Sequence, residues 1–224
     1  LAFAASLLIF VSFGAYFLLH KKDRPYTVKV AKKDASPGKN RATLILSNGK
    51  KIRLGDASDG QLANDAGVTI NKTQSGEIIY KAEAAQGNDT LKREFNTLTT
   101  AKGEQYQLIL PDGSHIWLNA ASSIKYPIVF DKKERVVELS GEAYFEVVHK
   151  QTSPFKVKTR RQEVEVLGTH FNIYAYDDES ITRTTLVEGS VKVSSFTSNN
   201  TIIIKPGQQS LVDDYNLKVE TVDT

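Results

Sequence analysis

The side chains able to do chemistry are few and scattered. Carboxylates recur in pairs at Glu142 and Glu146 and at Glu163 and Glu165, with a third acidic run from Asp177 to Glu179. On a strand, either pair places both acids on one face, as the two carboxylates of a glycosidase require. Glu163 and Glu165, however, alternate with Val164 and Val166, which is how a strand with one wet face reads, and Glu142 and Glu146 bracket Tyr144 in a similar way. A solvated face is the expectation for both pairs. The four histidines, His20, His115, His149 and His170, are isolated, with neither H-x-H nor H-E-x-x-H spacing, so no metal site is expected. No G-x-S-x-G elbow, phosphate-binding glycine-lysine loop or G-x-G-x-x-G appears. With no cysteine there is no disulfide, thiolate metal site or cysteine nucleophile. These residues lead to the expectation of a protein that is not an enzyme and holds no cofactor.

One pair of residues points to contact rather than catalysis. Trp117 is the only tryptophan, and alternation places it with His115 on one face of a strand whose other face carries Ile116 and Leu118. An exposed Trp beside His marks a surface for a partner or a carbohydrate, and the competing reading is a Trp partly buried under a neighbouring loop. Trp117 and His115 are the candidate contact residues.

The elements that must position them read as strands. Runs of four to eight residues rich in Val, Ile, Leu, Thr, Phe and Tyr are separated by Gly, Pro, Asn or Asp, and no segment beyond Arg41 shows a convincing 3.6-residue period. The fold class expected is all-β, antiparallel, as a sandwich or a twisted stack of hairpins, preceded by one transmembrane α-helix. Two hairpins are clearest: Leu44–Leu46 to Ile52 through Ser47-Asn48-Gly49, and Leu108–Leu110 to Ile116 through Pro111-Asp112-Gly113. They match at an offset of 64 residues, which suggests similar hairpins in similar places. The polar stretches 55–66 and 82–89 read as loops.

Leu1 to Leu19 carries no charged side chain, and as a helix it spans about 28 Å, close to the thickness of a hydrocarbon core. Residues 1–20 are therefore expected as a membrane helix and 21–41 as a juxtamembrane linker. Residues 42–100 follow as an N-terminal β region, 101–213 as the main β domain, and 214–224 as the start of a connection onward. The 224-residue chain has no methionine, so it is read as a fragment. Its 29 basic and 26 acidic side chains leave a net charge of +3, an ordinary solvated surface that calls for no nucleic acid.

An ordered series of motifs resembles the FecR family of membrane-bound anti-sigma regulators in its Bacteroidetes form. The motifs are LPDGSHIWLNAASSIKYP from Leu110, RVVELSGEAYFEV from Arg135, PFKVKTRRQEVEVLGTHFNIYAY from Pro154, TTLVEGSVKVS from Thr184 and KPGQQ from Lys205. Their glycines, Gly113, Gly141, Gly168, Gly189 and Gly207, are expected where strands end or bend. The resemblance implies a single-pass inner-membrane protein with its bulk in the periplasm. It implies an extracytoplasmic-function sigma factor bound by a cytoplasmic segment upstream of Leu1, and a TonB-dependent outer-membrane transducer met mainly by a domain beyond Thr224. Orientation rests on the resemblance, because Lys21, Lys22 and Arg24 after the helix would by the positive-inside rule mark the cytoplasmic side. The alternative function is a membrane-anchored, periplasmic carbohydrate-binding or carbohydrate-active β protein. A purely structural envelope scaffold is a third reading.

Overall fold

The computed structural model describes residues 38–65, 68–82 and 94–223, within a compact unit running from Ser36 to Thr224. The expected membrane helix lies outside the described residues, among which no helix is long and apolar enough to cross a membrane.

The described residues are all-β. In chain order the strands are β1 (Lys39–Asn40), β2 (Thr43–Ile45), β3 (Lys51–Arg53), β4 (Gly60–Asp65), β5 (Val68–Lys72), β6 (Ile78–Ala82) and β7 (Phe95–Thr99). There follow β8 (Glu104–Ile109), β9 (His115–Leu118), β10 (Ser123–Pro127), β11 (Arg135–Glu146), β12 (Phe155–Lys158) and β13 (Gln162–Val166). The last are β14 (His170–Ala175), β15 (Thr182–Glu188), β16 (Val191–Ser195), β17 (Thr201–Ile204), β18 (Gln208–Val212) and β19 (Leu217–Thr221).

Pairing sorts them into two sheets that share β11. One runs β3-β2-β7-β10-β11-β12-β13-β16-β17. The other runs β4-β5-β6-β8-β9-β11-β14-β15-β18-β19, with β1 added in parallel beside β8. From β12 onward the hairpins alternate: β12–β13 in the first sheet, β14–β15 in the second, β16–β17 in the first, β18–β19 in the second. The body is a stack of hairpins laid down on alternate sides of one core.

Alternation is what places that core. Along β11 the side chains of Arg135, Val137, Leu139, Ala143 and Phe145 are buried while those between them are less so, because successive strand side chains point to opposite faces. Phe145, on the second-sheet half of β11, packs against Phe171 of its own sheet at 4.9 Å and against Phe155 of the first sheet at 6.3 Å. Leu44, Leu98, Ile124, Val164 and Val193 join from the first sheet, and Leu108, Ile116, Ile173 and Leu186 from the second, in one apolar cluster.

The bend that lets β11 serve both sheets is at Gly141. Its φ is 95°, and a Cβ there would lie 2.3 Å from Ser122 Oγ and 2.7 Å from Ser122 Cα. Only glycine combines that backbone with that approach. What reads as two strands, 136–139 and 143–147, is therefore one strand bent in the middle. Likewise the stretch read as a loop over 55–66 contains β4, paired with β5 through a bulge. The two hairpins matching at 64 residues share a turn, since Leu46 N–H bonds Lys50 O and Leu110 N–H bonds Ser114 O, each at 2.9 Å. They nevertheless lie in different sheets.

Candidate functional site

The outer face of the second sheet carries Trp117. A row of side chains crosses it strand by strand: Gln107 opposite Trp117, Trp117 opposite Tyr144, Tyr144 opposite Asn172, and Asn172 opposite Thr185. The inward neighbours Leu108, Ile116, Phe145 and Phe171 fix this register, because a one-residue slip of any strand would turn its apolar set to solvent.

At this place the face is concave. A cavity of about 530 Å³ is lined by Trp117 and Tyr144, by the amides of Gln105, Gln107, Asn119 and Asn172, and by the Glu142 carboxylate, with Asn40 of β1 at its rim. The indole and phenol rings lie 5.6 Å apart and tilted by 55°. His115 stacks on Trp117 with centroids 6.0 Å apart, so the two predicted contact residues come together, Trp117 lining the cavity and His115 beside it on the same face. Both oxygens of Glu142 are held, Oε2 by Asn119 Nδ2 at 2.6 Å and Oε1 by Asn172 Nδ2 at 3.0 Å. Burial pushes the Tyr144 hydroxyl pKa up, and the charges of Glu146 and Glu188 push it further, which keeps the phenol neutral.

The carboxylate pairs resolve differently. Glu142 and Glu146 share a face of β11 but stand four residues apart, about 13 Å along the strand. With Glu142 fixed by two amides, that separation suits neither of the glycosidase geometries, which need about 5 to 9.5 Å. Glu163 and Glu165 lie on the outer face of the first sheet in a ladder of opposite charges. Lys156 reaches Glu134 at 2.8 Å and Glu165 at 3.8 Å, Lys158 reaches Glu163 at 3.9 Å, and Lys192 reaches Glu165 at 3.5 Å. No group of three or more metal-binding side chains occurs among the described residues.

Of the motif glycines, Gly113 lies in the β8–β9 turn, Gly189 between β15 and β16, and Gly207 between β17 and β18, while Gly141 bends β11. Gly168 precedes β14 for a different reason, because a Cβ there would stand 2.5 Å from His149 Cα.

The feature that strand patterns passed over is Arg135. Its side chain is 1% exposed and its Nη1 lies 2.6 Å from Oδ2 of Asp112, itself 2% exposed. Nε donates to Ser153 O at 2.9 Å, Nη1 also to Val148 O at 3.0 Å, and Nη2 to Leu167 O at 3.4 Å. Asp112 belongs to the β8–β9 turn, so this guanidinium clamps the hairpin bearing Trp117 to the strand bearing Glu142 and Tyr144. The sequence signal was an arginine in phase with Val137, Leu139, Ala143 and Phe145.

Comparison with known proteins gives the following. Residues 96–192 match the family model of the FecR protein. The chain is similar to two crystal structures of a candidate anti-sigma factor from Parabacteroides distasonis ATCC 8503. The 2.50 Å structure is 31% identical with a TM-score of 0.55, over 58% of this chain and 61% of that one. The 1.65 Å structure is 32% identical with a TM-score of 0.55, over 57% of this chain and 60% of that one. The chain thus spans about three fifths of those relatives. No curated protein matches it.

Proposed function

We propose, from the match of residues 96–192 to the FecR family model, that the protein is a membrane-bound anti-sigma regulator. In this reading the segment 1–20 crosses the inner membrane and the β body stands in the periplasm. The protein relays the state of a TonB-dependent outer-membrane transducer to an extracytoplasmic-function sigma factor. One observation carries the reading: the stretch that matches the FecR family belongs to the β body that resembles a candidate anti-sigma factor at 31% identity.

The fold suits a relay. β11 belongs to both sheets and one apolar cluster joins them, which couples the two sheets through a shared core. Packed interiors have low compressibility and transmit strain.

Affinity capture of the full-length protein from membranes tests the sigma partner. A sigma factor should be recovered with it, and should be lost when the segment upstream of residue 1 is removed. A reporter fused after Thr224 tests orientation, and activity on the cytoplasmic side would overturn the topology. Recovery of no sigma factor at all would overturn the anti-sigma reading.

A further inference from the structure

The concave face at Trp117 plays no part in the anti-sigma reading, which rests on fold and family. We propose that this face is a binding site for an uncharged saccharide chain.

The chemistry of the wall selects that class. A sugar ring presents C–H faces and a rim of hydroxyls, and the C–H faces pack on aromatic rings such as Trp117 and Tyr144. Each hydroxyl both donates and accepts a hydrogen bond. Side-chain amides do both as well, and those of Gln105 and Gln107 form no hydrogen bond to any described residue, which leaves them available to a ligand. Glu142 adds two acceptor oxygens whose position is already set by Asn119 and Asn172. Little ordering is left for binding to bring about.

Charge and topology exclude two competitors, acidic ligands and strand-adding peptides. No Lys or Arg lines the cavity, and Glu142 stands in it with Glu146 and Glu188 close enough to act on Tyr144. A uronic acid, sulfate or phosphate would meet this field unpaired. A peptide adding as a strand would need a free edge, but β9 is hydrogen-bonded on both sides, to β8 and to β11. The cavity of about 530 Å³ exceeds a single sugar ring, so the ligand is a chain. Among the described residues Glu142 is the one carboxylate lining the cavity, and its spacing from Glu146 suits neither glycosidase geometry, so the proposed role is binding.

Trp117 is the chain's only tryptophan, so its emission reports the site directly. The full chain, in detergent, is titrated with cellotriose, maltotriose, tri-N-acetylchitotriose and trigalacturonic acid by fluorescence, with calorimetry alongside. At least one neutral trisaccharide should bind saturably, with Kd between about 10 μM and 10 mM, and trigalacturonic acid at least tenfold more weakly. Tyr144→Ala and the isosteric Glu142→Gln should each weaken binding tenfold or more, while Glu163→Gln on the other sheet leaves it unchanged. Circular dichroism checks that each variant keeps its fold. The proposal is overturned if no neutral trisaccharide binds at 20 mM, if the acidic sugar binds equally well, or if Glu142→Gln binds as the parent does. None of these results bears on sigma-factor capture.

Discussion

Replacing Arg135 with methionine removes the guanidinium that ties the β8–β9 turn to β11, and the structure sets the size of the effect. The Arg135 and Asp112 side chains are 1% and 2% exposed, so water cannot replace the lost partner. Asp112 would keep only the Ser114 N–H at 3.0 Å and the Ser114 hydroxyl at 2.8 Å. Removing one member of a buried pair costs about 3–5 kcal/mol, because the other charge stays buried and uncompensated. Methionine is of similar length, so cavity formation adds little, while the guanidinium contact with the Phe155 ring, 5.4 Å from its centre, is lost with the charge. With a urea m-value of about 2–3 kcal/mol/M, the unfolding midpoint should fall by about 1–2.5 M. Urea titrations followed by Trp117 fluorescence and far-ultraviolet circular dichroism measure it. Asp112→Asn removes the buried charge, so the double variant should cost at least about 1.5 kcal/mol less than the sum of the singles. A loss under about 1 kcal/mol for Arg135→Met, or additivity in the double variant, would refute the clamp.

Gly141→Ala should cost about 3 kcal/mol or more by thermal denaturation, since the added methyl meets Ser122 backbone at 2.7 Å. Gly49→Ala, with φ of 83° but nothing within 4 Å, should cost only about 1–2 kcal/mol; equal losses would show that the close approach does not matter. Tyr80, bonded to the Tyr126 hydroxyl at 2.6 Å, has its pKa pushed by burial from 10.0 to about 12. The unfolded tyrosine ionises near pH 10 while the folded one keeps its proton, so the folded state binds more protons in that window. The Tyr80 contribution is therefore complete below pH 10 and falls by about 2–3 kcal/mol as pH rises through 12, and Tyr106 and Tyr126, whose hydroxyls burial also pushes up, deepen the fall. Tyr80→Phe should flatten this fall in urea midpoints measured across that range, and an unchanged slope would contradict the assignment. Lys156→Gln, on the charged ladder, should cost less than about 1 kcal/mol, and a larger loss would mean the ladder is more than a solvated face.

The parts of this fold legible in the sequence are those that depend on neighbours in the chain. Asn48-Gly49 and Asp112-Gly113 marked their turns because their backbone chemistry is local, and the alternation through Val164 and Val166 marked the wet face of β13. Sheet membership was not legible. The hairpins at Leu44 and Leu108 have the same pattern, and only pairing with β7 in one case and β11 beyond β9 in the other sends them to different sheets. The bend at Gly141 was hidden for the same reason, since it depends on the approach of Ser122 from the turn between β9 and β10. For the site, sequence brought Trp117 and His115 together. Tyr144, Asn119, Asn172 and Gln107 were left out, because cross-strand register joins them and no short spacing does.

The two outer faces show what the second sheet's composition means. Both sheets commit their inner residues to one core, and an outer face under no further demand can be covered by opposed charges that cost little and keep the body soluble. The first sheet does this with Lys156, Lys158, Glu163, Glu165 and Lys192, each within 4 Å of an opposite charge. At the corresponding centre of the second sheet stand Trp117, Tyr144, Asn172 and Thr185. Trp117 and Tyr144 form an aromatic cross-strand pair that stabilises the sheet, while the Gln105 and Gln107 side-chain amides beside them bond to no described residue. Cross-strand pairing accounts for the two rings, and it is the amides around them that a ligand with hydroxyl edges would engage.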